Sequence, residues 1–229
     1  MGYLAYNGQV LTFEGQRLWT GLNASIGRDL GLNATSITWI DETHIQVVYN
    51  WDNDNQINDF IATTGTTLSR DASLNSMRIT NGALSIRAAK WIQPIKCSRI
   101  YAVGVISLSG GSEHVNFYSD LSTNWIGKPF NPNPGLAAVW NNAGGFVSVA
   151  GTTHTSYATG NLPTPNVSEN YDFIVNDGQV ECYAENQDTS VRWFENISSR
   201  RHTYGIIAIG AYQTNTIWGQ LIIEGEVDP

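Results

Sequence analysis

The stretch Tyr171-Asp172-Phe173-Ile174-Val175-Asn176-Asp177-Gly178-Gln179-Val180-Glu181-Cys182-Tyr183-Ala184 is two alternating runs joined at an Asp-Gly pair. Such a pair favours a two-residue hairpin, because both central residues take positive φ. In that register Phe173 faces Cys182, Val175 faces Val180 and Tyr171 faces Ala184, giving one apolar face. Asp172, Asn176, Gln179 and Glu181 fall on the other. A glycine-punctuated apolar strand, 204–209, and a last run, 217–227, complete the closing half of an antiparallel sandwich.

Working outward, the chain reads as β from Ser36 onward. The runs 37–40 and 44–49 form an opening pair, and a second hairpin is predicted at Asn81-Gly82. Its facing pairs would be Ile79 with Leu84 and Met77 with Ile86, leaving Ser76, Arg78, Ser85 and Arg87 on the opposite face. The run 100–108, apolar on both faces, predicts a central strand. Further strands are expected at 113–119, 136–140, 145–150 and 191–194, and no amphipathic helix of useful length appears. About a dozen strands with short connections imply an all-β, two-sheet antiparallel sandwich. The first residues differ. Asn7-Gly8-Gln9-Val10-Leu11 and Glu14-Gly15-Gln16-Arg17-Leu18 are similar at a seven-residue spacing, which suggests two tiny strands. Residues 1–35 are therefore set apart as an N-terminal extension, with the sandwich domain over 36–229. An extension too small to fold alone docks on a partner or neighbouring subunit, or frays.

Composition narrows the function. Over 229 residues, 41% are hydrophobic and 14% charged, so uncharged polar groups carry solubility. A net charge of −8, with only Lys90, Lys96 and Lys128 as lysines, argues against a nucleic-acid partner. Cys97 and Cys182 read as buried free thiols. No secretory signal and no membrane-spanning run is expected, so the four Asn-x-Ser/Thr sequons, at Asn23, Asn33, Asn166 and Asn196, read as accidents of composition.

The segment 56–87, with Asp59-Phe60 and the run Met77 to Ile86, resembles the opening of the concanavalin A-like lectin/glucanase jelly roll. Val180 to Tyr183, Trp193, Tyr204 to Gly210 and the strand 218–227 resemble its close. The resemblance implies glycan binding, glycan hydrolysis or structural duty, and the fold does not choose. Hydrolytic members carry a Glu-x-Asp-x-(x)-Glu strand, which this sequence lacks. Glu224, Glu226 and Asp228 come nearest and read as a solvated sheet edge. Legume-type members hold a Mn/Ca pair, for which no matching residues occur. The duplicated Asn-Gly-Gln start resembles openings of tail and surface proteins of bacterial viruses.

Three constellations remain. Asp52, Asp54 and Asp59, with intervening asparagines, could wrap calcium, although the EF-hand glycine and distal glutamate are missing. The four histidines are scattered, so no zinc spacing exists. Trp125 sits in a Pro/Asn-rich loop, 123–134, whose prolines lower the entropy lost on binding. There Trp125 would stack on a sugar, with Asn124, Phe130, Asn131 and Asn133 beside it. Alternatively Trp125 and Phe130 plug one end of the sandwich. A second long loop, 151–170, would contribute His154 and Tyr157.

The expectation is a non-catalytic attachment module of a virion or cell surface, binding a glycan or receptor. A structural virion subunit such as a fibre, self-associating as a homo-oligomer (a trimer for a fibre), is the alternative. A divergent glycan hydrolase or lyase using Asp172, Glu181 or Glu185 is the third.

Overall fold

The computed structural model describes residues 4–6, 9–11, 29–81, 86–108, 114–122, 125, 135–141, 144–149, 152–157, 163–177, 179–186, 190–196, 203–212 and 214–228. A separate two-stranded hairpin, β1 (Leu4–Tyr6) and β2 (Gln9–Leu11), brackets Asn7-Gly8 and pairs Leu4 with Leu11. The proposed second copy at Glu14 to Leu18 lies outside the described residues.

The sandwich follows. Its first elements are β3 (Ser36–Trp39), β4 (His44–Tyr49), a short 3-10 helix (Asp54–Asp59), β5 (Phe60–Ala62), β6 (Thr66–Asp71) and β7 (Ser76–Asn81). The middle comprises β8 (Ile86–Trp91), β9 (Lys96–Ser107), β10 (His114–Leu121), β11 (Leu136–Asn141), β12 (Gly144–Val149) and β13 (Thr152–Tyr157). The chain closes through β14 (Ser168–Asn176), β15 (Gln179–Glu185), β16 (Ser190–Asn196), β17 (Ile206–Tyr212), β18 (Thr216–Trp218) and β19 (Gln220–Glu226).

Two antiparallel sheets stack. One runs β13-β12-β11-β10-β17-β8-β5. The other runs β16-β15-β14-β9-β18-β7-β6, with β19 also beside β9, then β4 and β3 outside β19. This is the two-sheet antiparallel sandwich expected from the alternation.

The β14–β15 hairpin has the predicted register, Phe173 with Cys182 and Val175 with Val180. Along β14 the burial alternates from Glu169 to Val175, so one face enters the core. Cys97 and Cys182 are buried and unbridged, and burial pushes both thiols well above their ordinary range, leaving little reactive thiolate.

Three local expectations are corrected. The Asn81-Gly82 corner is not a hairpin. β7 pairs with β6 and β18 in the ten-stranded sheet, while β8 pairs with β5 and β17 in the other. Chain neighbours here belong to opposite layers. Met77 and Ile79 are fully buried, but alternation reports which way they point and not which strand lies beside them. β9 is central in its pairing, between β14 and the β18/β19 line, yet Arg99, Tyr101 and Val103 are only half-buried. Finally, β19 is no edge, because β4 pairs along it from Leu221 to Glu226. Its outward carboxylates are held by cations instead: Glu224 lies 3.8 Å from Arg99, and Glu226 lies 3.5 Å from Lys96.

The layers meet in an aromatic core. Phe117 of β10 lies 5.4 Å from Trp140 in its own sheet. Across the interface it lies 6.1 Å from Tyr171, 6.1 Å from Phe173 and 5.5 Å from Trp218. Each such pair contributes roughly 0.5–1.5 kcal/mol beyond the area it buries.

Asp59 anchors residues 29–35 to this body. It is fully buried and accepts from the Asn33 backbone N–H at 2.7 Å, from Asn33 Nδ2 at 2.7 Å and from the Tyr49 hydroxyl at 2.9 Å. Leu30, Leu32 and Ala34 then pack against the core. Trp91 Nε1 donates to the same Tyr49 hydroxyl at 2.8 Å, so the carboxylate closes a buried polar chain. Asp59→Ala should cost about 3 kcal/mol, since it orphans several buried donors. Thermal melting should drop and proteases should cut within 29–35; an unchanged melt with intact chain would show that the anchor is not needed.

Candidate functional site

The outer face of the seven-stranded sheet carries the most unusual group of side chains. Register places Ala137, Tyr118, Ala208 and Lys90 in one row across β11, β10, β17 and β8. Val139, Asn116, Gly210 and Ala88 form the next. Alanine and glycine make a low floor from which Tyr118 and Asn116 rise. At Gly210 even a methyl is excluded, since a Cβ would sit 2.1 Å from the Arg87 carbonyl oxygen.

Trp125 lies on this floor. Its ring centroid is 4.8 Å from that of Tyr118, tilted by 47°. Its backbone N–H donates to the Ser122 carbonyl at 3.0 Å, and Lys90 Nζ donates to its carbonyl at 3.1 Å. Lys90 and Tyr118 are two strands apart, so this tether draws the Trp125 backbone across the Ala208 gap. The chain approaches through Asp120, whose φ of 54° marks the irregularity after Tyr118. Gly205 permits that path: a Cβ there would lie 2.5 Å from the Asp120 Cα.

Two polar atoms are left over in this cluster. Asn116 and Tyr118 are fully buried and Trp125 is 5% exposed. Asn116 Nδ2 donates to the Tyr118 hydroxyl at 3.1 Å, while Asn116 Oδ1 and Trp125 Nε1 have no partner among the described residues. Each unsatisfied buried group costs roughly 1–3 kcal/mol. One is an acceptor and the other a donor. A hydroxyl group does both jobs at once.

The structure therefore revises the expected role of Trp125. Its ring rests on Tyr118 rather than standing free as a stacking platform, and its polar edge is what remains unused. Asn124, Phe130, Asn131 and Asn133 lie outside the described residues. His154 and Tyr157 belong to β13, an edge strand rather than a loop, and Tyr157 pairs with Gly145 of β12. β13 lies three strand spacings of ~4.8 Å from β10. Asn116, Tyr118 and Lys90 escaped the sequence reading because, in an alternating strand, a polar phase normally means solvent.

The proposed calcium ligands do not converge. Asp59 is consumed by Asn33 and Tyr49 as described, Asp52 accepts from the Thr35 hydroxyl at 2.9 Å, and Asp54 faces solvent 3.4 Å from Arg70. Among the described residues no group of acidic, histidine or cysteine side chains is placed to hold a metal. The carboxylates considered for hydrolysis are similarly committed. Both oxygens of Asp172 accept from Arg99 at 2.8 Å, and Glu185 accepts from Tyr183 at 2.9 Å.

No family model matches the sequence, and no curated protein does. Solved structures do match in fold. Winged bean acidic lectin, complexed with methyl-α-D-galactose, superposes with a TM-score of 0.62 at 8% identity, covering 81% of this chain and all of that one. A Bacillus subtilis protein of unknown function with a galectin-like fold gives 0.59 at 10% identity, over 80% and 96% of the two chains. The carbohydrate-binding module CBM66 from Bacillus subtilis gives 0.52 at 9% identity, over 71% and 93%. At such identities the likeness is one of fold.

The described residues of the second expected loop, 151–170, comprise β13, residues 163–167 and the start of β14, the latter two joined by one carboxyl group. Glu169 is 2% exposed and accepts from the Thr164 N–H at 2.6 Å and from the Tyr171 hydroxyl. Burial raises its pKa above the ordinary value, outweighing these hydrogen bonds. The folded state thus holds its proton more tightly than the unfolded chain, so this contribution is greatest in acid and is lost as pH rises through the folded-state pKa. Glu169→Gln should leave stability at pH 4 nearly unchanged and raise the melting temperature at pH 8. Calorimetry showing a lower melting temperature at pH 8 would contradict it.

Proposed function

We propose that this chain is a non-catalytic carbohydrate-binding module, with its contact surface on the outer face of the seven-stranded sheet. The observation that carries the proposal is the unpaired acceptor of Asn116 and unpaired donor of Trp125, flanking Tyr118 on a floor of alanine and glycine. A sugar hydroxyl would complete both, accepting from Trp125 Nε1–H and donating to Asn116 Oδ1. Tyr118, packed against the Trp125 ring and bonded to Asn116, holds these two atoms in place. The sandwich shared with lectins and with a carbohydrate-binding module supports the ligand class. The binding-only reading is supported by the absence of a Glu-x-Asp-x-(x)-Glu strand and by the Arg99 clamp on Asp172.

A glycan array followed by calorimetric titration of the best hit tests this. Trp125→Phe keeps a ring but deletes the unpaired N–H, so binding should weaken about tenfold, one charge-free hydrogen bond's worth. Because that N–H lacks a partner among the described residues, the variant loses no hydrogen bond, and any drop in melting temperature comes from the smaller ring alone. An array without hits, or a hit bound equally by Trp125→Phe and Asn116→Ala, would overturn the assignment.

A further inference from the structure

On the opposite face of the molecule, the outer side of the ten-stranded sheet opens into a pocket of about 250 Å³. It lies where the starts of β4 and β9 meet the end of β19 and the β14–β15 turn. His44, Lys96, Ser98 and Glu226 line one side, and Val175, Asn176 and Asp177 the other.

The charges here are largely matched before any ligand arrives. His44 Nδ1 lies 2.7 Å from Asp41 Oδ2, and its Nε2 lies 3.2 Å from Glu226 Oε1. Lys96 Nζ approaches the same Glu226 oxygen at 3.5 Å. The other oxygen, Oε2, lies 3.4 Å from the Tyr204 hydroxyl. The Asp41 carboxyl is drawn down to about 2 by the Thr43 and His44 amides, so it stays anionic at neutral pH and orients the imidazole. Glu226 is a hub, held from three directions by groups from β4, β9 and the segment before β17.

A simple ion is poorly served by such a pocket: Glu226 and Asp177 oppose an anion, while Lys96 beside Glu226 opposes a cation and no acidic or histidine group among the described residues is placed to hold a metal. A ligand whose groups both donate and accept is well served. The wall offers an ammonium, an imidazole, a hydroxyl, an amide and carboxylates within one small volume. Tyr204, 44% exposed, stands beside Glu226 just outside the residues that line the pocket. We propose that this pocket binds a neutral polyhydroxylated ring, a single pyranose residue, independently of the Trp125 surface. The ligand class rests on the function proposed above, but the residues and the sheet are different. With sites on opposite faces, one chain could bridge two glycans, and multivalent ligands would gain avidity without new contacts.

The test is amide chemical-shift mapping of the intact protein, titrated with methyl α-galactoside, methyl α-glucoside, methyl α-mannoside and N-acetylglucosamine in turn. At least one should shift the amides of Lys96, Asn176 and Glu226. Glu226→Gln and Ser98→Ala should each weaken that response about tenfold, while Trp125→Phe leaves it intact. Ser98→Ala guards against a folding defect in the hub variant. Shifts confined to Asn116, Tyr118 and Trp125 would overturn the second pocket and leave the proposed function standing. Shifts confined to the pocket would support it and leave the Trp125 surface to be judged by its array. No shifts with any of the four sugars would overturn the pocket as a pyranose site, whereas the Trp125 surface would still be judged by its array.

Discussion

Phe117 is the residue through which the two sheets become one body. Its ring touches Trp140 beside it and Tyr171, Phe173 and Trp218 across the interface, so side chains from β10, β11, β14 and β18 share one contact centre. Backbone hydrogen bonds run within each sheet and not between them, so the layers are joined by core packing and by side-chain links such as that of Trp91 Nε1 to the Tyr49 hydroxyl. Aromatic packing across the gap therefore fixes the distance and rotation of one sheet on the other.

The outer face inherits its precision from that contact. Along β10, Phe117 points inward and its neighbours Asn116 and Tyr118 point outward, because strand residues alternate. A strand whose inner side is pinned by four aromatic contacts cannot slip in register, so the outward pair is held in place as well. Lys90 adds the last constraint by fixing the Trp125 carbonyl. The result is an acceptor positioned by a strand and a donor held by the Lys90 and Ser122 tethers, a preorganised arrangement that loses little entropy on engaging its ligand.

What the amino-acid sequence disclosed follows the reach of its signals. The Asp177-Gly178 turn and its alternating arms give the hairpin residue by residue, because a two-residue turn dictates the register of what it joins. Asn81-Gly82 carries the same surface signature, yet β7 and β8 part into different sheets. Alternation records only that one side of a strand is buried, and Met77 is buried equally well beside β6 as beside β8. The acidic end of the chain misled for a related reason: Glu224 and Glu226 suit an exposed edge, but Arg99, Lys96 and His44 arrive from distant strands to neutralise them. Trp125 was visible as unusual from its loop. Asn116 was not, since only the folded sheet shows that its outward face is covered and its amide oxygen left alone.

A high-resolution crystal structure of the protein with its best array glycan addresses the central claim most directly. One ligand hydroxyl oxygen should lie within hydrogen-bond distance of both Asn116 Oδ1 and Trp125 Nε1. Glycan density elsewhere, with those two atoms bonded to protein groups or to a water that the ligand never displaces, would contradict it.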